Sequence, residues 1–77
     1  MTYRECYEKG RTELKRAGVP EAELDARLLL EYVCGTDRNT LLAHGDREVT
    51  DEEQARYRVL VAERADRVPL QHLTGTQ

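Results

Sequence analysis

The residues best suited to bind a metal are two cysteines and two histidines, Cys6, Cys34, His44 and His72. Structural zinc sites usually take their ligands from closely spaced pairs of these residue types. Here successive members of the set lie 28, 10 and 28 residues apart, which is not the spacing of a zinc module. We therefore predict no metal site, and we expect core cysteines and half-exposed histidines.

The sequence also lacks the residue combinations that nucleophilic or acid–base catalysis requires. The chain has no serine, and both cysteines fall among apolar neighbours, where a free cysteine commonly acts as a small hydrophobic residue. The acidic run Asp51-Glu52-Glu53 follows a threonine, as expected for the first turn of a helix, where the helix dipole favours acidic side chains. Asp25 lies in an apolar helix and is expected to pair with an arginine at the helix margin. We predict no catalytic residue.

The sequence gives little support for a site that binds phosphate groups or nucleic acids. The five glycines never lie within three residues of each other, so no glycine-rich phosphate loop exists. A possible basic stripe on the fourth predicted helix is interleaved with acidic residues, as on a solvated surface of mixed charge. That stripe consists of Arg56, Arg58, Arg64 and Arg67. A net charge of -3 also argues against nucleic acid as a partner.

The composition is that of one small folded domain. The chain has 77 residues, of which 39% are hydrophobic and 35% charged. Its apolar runs, such as Leu28-Leu29-Leu30, are far too short to cross a membrane. The first residues lack the pattern of a secretion signal, so we expect a cytoplasmic protein with reduced cysteines. No cofactor site is predicted, and a monomer is expected.

The first helix is predicted to begin after Thr2. Thr2-Tyr3-Arg4-Glu5 is a capping box, in which two side chains satisfy backbone amides, and Gly18 supplies a left-handed stop. Gly10 lowers stability in a helix interior, so we expect it to mark a close crossing with another helix. The apolar stripe consists of Tyr3, Cys6, Tyr7, Gly10, Leu14 and Ala17.

The second helix is predicted to be the central one. Pro20 and Glu21 suit its first turn, and it continues to about Val33 before Gly35 ends it. Its apolar residues cover more than one face. They are Ala22, Leu24, Ala26, Leu28, Leu29, Leu30, Tyr32 and Val33.

Two or three further helices complete the predicted fold. Thr36 or Asp37 can cap a short helix that ends at Gly45. Thr50 opens a longer one through the capping box Thr50-Asp51-Glu52-Glu53, reaching about Asp66. Its expected core residues are Ala55, Leu60, Val61, Val59, Ala62 and Ala65. A last turn from Pro69 to Leu73 precedes Thr74-Gly75-Thr76-Gln77, which resembles a linker. The fold class is therefore all-α, a small bundle of four to five helices.

Three segments, in order, resemble a known family. Residues 64–75, Arg-Ala-Asp-Arg-Val-Pro-Leu-Gln-His-Leu-Thr-Gly, look like the end of the N-terminal helical domain of the HemK-type release-factor glutamine methyltransferases. Residues 25–35 resemble the central helix of that domain. Residues 41–45 resemble the next helix of that domain, and residues 49–53 resemble the capped start of the helix that follows.

The resemblance implies that residues 1–77 form one domain of a larger, two-domain enzyme. The family transfers a methyl group from S-adenosylmethionine to the glutamine side-chain nitrogen in the Gly-Gly-Gln loop of a peptide chain release factor. Its Rossmann-like catalytic domain carries a glycine-rich cofactor loop and an Asn-Pro-Pro-Tyr motif, and this chain contains neither. We therefore expect a non-catalytic domain that positions the release factor.

The segment nearest the expected catalytic domain is the candidate for interdomain packing. Its residues are Pro69, Leu70, Gln71, His72 and Leu73. Two other functions stay open from the residues alone. One is a free-standing helical adaptor that binds another protein, and the other is a helix-turn-helix module that binds DNA.

Overall fold

Five helices form the domain in a computed structural model that describes residues 1–74. They are α1 (Tyr3–Arg16), α2 (Ala22–Cys34), α3 (Arg38–Ala43), α4 (Asp51–Ala65) and α5 (Leu70–Thr74). Within the described residues the only β-type pairing is an isolated antiparallel bridge between Thr2 and Glu48. The prediction of a small all-α bundle is confirmed. None of the described helices is long and apolar enough to cross a membrane.

Helix α1 begins where the capping box predicts. The Thr2 hydroxyl accepts a hydrogen bond from the Glu5 backbone amide at 3.2 Å, and the Glu5 carboxylate accepts one from the Thr2 amide at 2.8 Å. The amides of Tyr3 and Arg4 donate to the carbonyls of Arg47 and Gly45, each at 3.0 Å. Since the first-turn amides of a helix have no partners within it, these bonds fix the start of α1 against the α3–α4 connection.

The capping box of α4 is also present. The Thr50 hydroxyl accepts from the Glu53 amide at 3.1 Å, and the Glu53 carboxylate accepts from the Thr50 amide at 3.0 Å. Helix α3 is capped by Asp37, whose carboxylate accepts from the Thr40 amide at 2.8 Å. That hydrogen bond lowers the pKa of Asp37, because it stabilises the charged form.

Helix α2 starts later than the sequence suggested. It begins at Ala22, and Glu21 is the N-cap residue without a side-chain capping bond, so Pro20 lies outside the helix. Gly35 ends the helix in the left-handed conformation, with φ of 62°, as predicted. The helix is central, because it packs against all four others. Its buried face is narrower than the distribution of its apolar residues predicts, however, because Leu24 is 39% and Tyr32 46% exposed.

The expected core face of α4 is confirmed at Val61 and wrong at Ala55, Val59 and Ala62. Its buried residues are Tyr57 and Val61, with Leu60 and Ala65 half-buried, whereas the three predicted residues Ala55, Val59 and Ala62 are exposed. The reason lies in Tyr57, whose ring is large and whose hydroxyl finds a partner in the core, so it directs the helix more strongly than small side chains. The hydroxyl donates to the Ala26 carbonyl of α2 at 3.0 Å.

Gly10 does mark the close helix crossing that the sequence predicts. A Cβ atom at this position would lie 2.0 Å from the Tyr57 hydroxyl oxygen and 2.8 Å from Cζ of the same ring. The missing side chain therefore creates the space into which the α4 tyrosine extends on its way to α2. The core around this crossing includes Cys6, Leu14 and Leu30.

Substitution Gly10→Ala is expected to destabilise the domain, although alanine is the better helix former. The methyl group must displace a buried ring, which typically costs about 1 to 3 kcal/mol, more than the roughly 1 kcal/mol that alanine gains in helix propensity. The measurement is the free energy of unfolding in urea. Lys9→Ala, at an exposed position of the same helix, is the control and should change it by less than about 0.5 kcal/mol.

Replacing the tyrosine at the same time tests the mechanism of that loss. Tyr57→Phe removes the nearest atom, so the combined variant Gly10→Ala with Tyr57→Phe should lose less stability than the sum of the two single changes. Simple additivity would contradict the steric explanation.

Candidate interdomain surface

Two arginines fix the connection between α4 and α5. Arg64 lies in the last turn of α4, where its Nε atom donates to Oδ2 of Asp25 on α2 at 2.8 Å. Its Nη1 atom donates to the Val68 carbonyl at 3.2 Å. Asp25 is the one buried charged side chain among the described residues, and a buried carboxylate needs such a partner. The sequence predicted an arginine partner for Asp25, and the structure supplies it from another helix.

Arg67 holds an unusual backbone conformation just before α5. Its φ is 72°, and no other non-glycine residue among the 74 described has a positive φ. The amides of Arg67 and Val68 donate to the carbonyls of Arg64 and Glu63, at 2.9 and 3.1 Å. These are the two bonds of a Schellman helix ending, in which the left-handed residue is usually glycine.

The Arg67 side chain accounts for an arginine at that position. Its Nη2 atom donates to the carbonyls of Ala17 and Gly18 in the α1–α2 turn, at 2.9 and 3.4 Å. A left-handed non-glycine residue costs about 1 to 2 kcal/mol, and hydrogen bonds from a charged donor are strong enough to offset that cost. The α4–α5 connection is thus tied to α2 and to the α1–α2 turn.

The predicted interdomain segment, residues 69–73, divides into an inner and an outer part. Leu73 is 7% exposed and belongs to the domain's own core, and Leu70 is half-buried. Pro69, Gln71 and His72 are exposed. Helix α5 packs against α2 and α4 through its inner residues. A partner domain would therefore meet the three exposed side chains, and whether it does stays a prediction.

The histidines and cysteines are not brought together as a metal site. Within residues 1–74 no group of three or more histidine, cysteine, aspartate or glutamate side chains could hold a metal ion. His44 is the C-cap residue of α3 and His72 lies on α5, both exposed. Cys6 is buried, Cys34 is half-buried, and both are free thiols.

Burial makes both thiols poor nucleophiles. It raises the pKa of Cys6, and it raises the pKa of Cys34 to about 11. Because the thiolate is the reactive form of cysteine, both side chains are protonated at neutral pH. The cysteines therefore have the properties of packing residues.

The four arginines considered as a possible basic stripe on and after α4 are divided between internal and surface roles. Arg64 and Arg67 are bound to groups of the same domain, as described above. Arg56 and Arg58 remain exposed. The acidic residues Asp51 and Glu52 are exposed in the first turn of the helix, as expected for a solvated helix start.

A family model described as the PrmC N-terminal domain matches residues 5–75 of this sequence. The chain belongs to this family. The chain is also similar to proteins named release factor glutamine methyltransferase. The identity is 47% over 75 residues in Deinococcus radiodurans, 43% over 76 residues in Mycobacterium tuberculosis and 36% over 77 residues in Koribacter versatilis.

The similarity covers nearly all of this chain but a small part of each relative. It spans 97%, 99% and 100% of the chain, and 27%, 24% and 28% of the three relatives in the same order. The chain thus spans about a quarter of their length. No solved structure matches it.

Sequence reasoning missed the roles of two residues, Arg67 at the α4–α5 connection and Tyr57 in the core. The left-handed Arg67 carries no sequence signal, since glycine is the usual residue at that position. Tyr57 was not recognised as a core residue because small apolar residues beside it form a competing stripe. The Asp25–Arg64 pair was half predicted, because an aspartate in an apolar helix indicates a cation but not which helix supplies it.

Removing the Asp25 carboxylate is expected to destabilise the domain markedly. Asp25→Ala leaves the partly buried Arg64 cation without its anion, and breaking a buried pair in this way costs about 3 to 5 kcal/mol, with the lower value expected here because Arg64 is partly solvated. Urea unfolding measures the loss. The control is Glu23→Ala on the same helix, whose carboxylate pairs with Lys15 at the surface, and which should cost less than about 1 kcal/mol. Equal losses would contradict the assigned role.

Cys34 is expected to react slowly with iodoacetamide in the folded chain. A pKa near 11 instead of 9.0 lowers the thiolate fraction at pH 8 about 100-fold. Alkylation followed by peptide mass spectrometry separates Cys34 from Cys6. The rate should rise as the pH approaches 11 and should reach that of an ordinary thiol at pH 8 once urea unfolds the chain. A fast native reaction at pH 8 would contradict the prediction.

Proposed function

We propose that this chain is the N-terminal domain of a larger S-adenosylmethionine-dependent methyltransferase. The proposed reaction places a methyl group on the glutamine side-chain nitrogen of the Gly-Gly-Gln loop in a peptide chain release factor. The observation that carries this proposal is the match to the PrmC N-terminal domain over residues 5–75. The names of the relatives indicate the substrate class, and the greater length of these proteins leaves room for a catalytic domain.

In this proposal the domain positions the substrate and contributes no catalytic or cofactor-binding residue. Two observations support that division. The thiols are protonated at neutral pH because burial raises their pKa. The two histidines lie exposed and apart, at the C-cap of α3 and on α5, and within residues 1–74 neither imidazole makes a hydrogen bond that would orient it. S-adenosylmethionine would then bind to the catalytic domain.

The α5 segment is the proposed contact with that catalytic domain. Pro69, Gln71 and His72 offer exposed side chains there. Arg64 and Arg67 bind the connection that precedes them to α2 and to the α1–α2 turn. A surface held in this way transmits the orientation of one domain to the other, which is what substrate positioning requires.

The test compares the parent enzyme with a form that lacks residues 1–74. Both are assayed for methylation of an intact release factor and of a short peptide that contains only the Gly-Gly-Gln loop. Loss of a positioning domain should lower kcat/KM for the intact release factor at least tenfold, mainly through KM, and should change it little for the peptide. Such selectivity arises because the peptide cannot reach the missing domain.

Each part of the proposal has its own contrary outcome. Full activity of the shortened enzyme on the intact release factor would contradict the positioning role. Methylation by the isolated 77-residue chain would contradict its non-catalytic role. A parent that methylates other proteins and leaves release factors unchanged would contradict the proposed substrate.

A further inference from the structure

A half-open groove lies between α1 and α3 and has α2 as its floor. Its volume is about 420 Å³, within the range of sites that hold small ligands or a few side chains. The apolar part of its lining includes Tyr7, Leu30, Leu41 and Leu42. None of the residues named for catalysis, metal binding or interdomain packing lines this groove.

The polar lining of the groove is mainly basic. Arg4, Arg27 and Arg38 line it together with one carboxylate, Glu8, and Glu8 is already paired with Arg11. Within residues 1–74 neither Arg4 nor Arg38 has an ion pair or a side-chain hydrogen bond. This local positive excess contrasts with the net charge of -3 of the whole chain, so the groove favours an anionic partner.

Arg27 is only partly neutralised by its neighbour. Its Nε atom lies 3.2 Å from Oε2 of Glu31, but the two buried atoms are not aligned as a hydrogen bond. Burial raises the pKa of Glu31, and Arg27 opposes this shift less strongly. Within residues 1–74 the two Nη atoms of Arg27 make no hydrogen bond, so they are able to donate to a further carboxylate at the groove.

Helix α3 has two features that its own stability does not explain. Leu42 is 71% exposed, and no residue of the helix is buried. Arg38 is the first residue of the helix, where the helix dipole disfavours a positive charge. Both side chains line the groove, where Leu42 extends its apolar lining and Arg38, a residue type enriched at interface hot spots, adds positive charge.

Helix α5 lies on the other side of α2 from the groove. Asp25 faces Arg64 and the connection to α5, whereas Arg27 lines the groove. Side chains two residues apart on a helix of 3.6 residues per turn point about 160° apart. Helix α5 packs against α2 and α4. The groove therefore lies on the other flank of α2 from the α5 segment proposed to contact the catalytic domain, which favours a separate molecule as its occupant.

We propose that the α1–α3 groove binds an acidic segment of the protein substrate that presents an aliphatic side chain. The aliphatic side chain packs against Leu41 and Leu42, and the flanking carboxylates pair with Arg4, Arg27 and Arg38. That the segment belongs to the substrate rests on the proposed function above. The groove supplies the contact surface that a substrate-positioning domain needs.

The test measures steady-state kinetics of the parent enzyme with Arg38→Glu. Glutamate suits the first position of a helix, so this variant keeps or raises the thermal stability of the domain while it reverses a groove charge. KM for the intact release factor should rise about tenfold with kcat unchanged, because charge reversal at an interface mainly weakens association. KM for the short Gly-Gly-Gln peptide should not change. Arg38→Lys should retain most of the wild-type KM.

Two further variants complete the design. Arg56→Glu reverses an exposed arginine on α4 outside the groove, and it should leave KM near the wild-type value. Leu42→Gln tests the apolar part at a position too exposed to affect folding strongly, and it should raise KM severalfold. Higher ionic strength should raise the wild-type KM and narrow its difference from Arg38→Glu.

An unchanged KM in both Arg38→Glu and Leu42→Gln would overturn the groove assignment, as would an equal rise in Arg56→Glu. This failure is distinct from failure of the proposed function. If removal of residues 1–74 raises KM while the groove variants do not, the domain positions the substrate through another surface. If removal of the domain has no effect, the positioning role itself fails.

Discussion

The packing of Tyr57 across Gly10 is the contact on which the arrangement of the helices depends. The ring extends from α4 over a position of α1 that has no side chain, and its hydroxyl reaches the Ala26 carbonyl of α2. One side chain thereby sets the separation of three helices. Burial also raises the pKa of Tyr57, so the hydroxyl stays protonated and remains a donor throughout the neutral range.

The arginines near the end of α4 extend this order to the last helix. In an isolated helix of five residues, hydrogen bonding gives little stability, so α5 depends on its attachment. Two interactions provide this attachment: the hydrogen bond from Arg64 to the buried Asp25 carboxylate, and the bonds from Arg67 to the α1–α2 turn. Leu73 then enters the core, while the outward side chains stay available. A buried ion pair adds little to overall stability, but it favours one specific geometry.

Helix α2 separates two surfaces with different chemistry. One flank holds Asp25 and the α5 segment proposed to meet a catalytic domain. The other flank, with Arg27 and Leu30, forms the floor of the basic groove proposed to bind the substrate. A rigid helix between the two keeps their relative orientation constant. In the proposed function, this arrangement gives the domain a physical means of affecting where a substrate lies.

The sequence by itself determined the helices and most of their ends, because capping boxes, left-handed glycines and apolar spacing act over a few residues. For this reason the sequence correctly predicts the helix starts at Thr2 and Thr50 and the helix end at Gly35, and Gly10 indicates a close crossing of two helices. Only the tertiary structure decided what crosses there, which face of α4 is buried, and which arginine neutralises Asp25. These depend on competition between residues far apart in the chain: the large ring of Tyr57 prevails over Ala55, Val59 and Ala62. The groove likewise combines α1, α2 and α3, and no local pattern could reveal it.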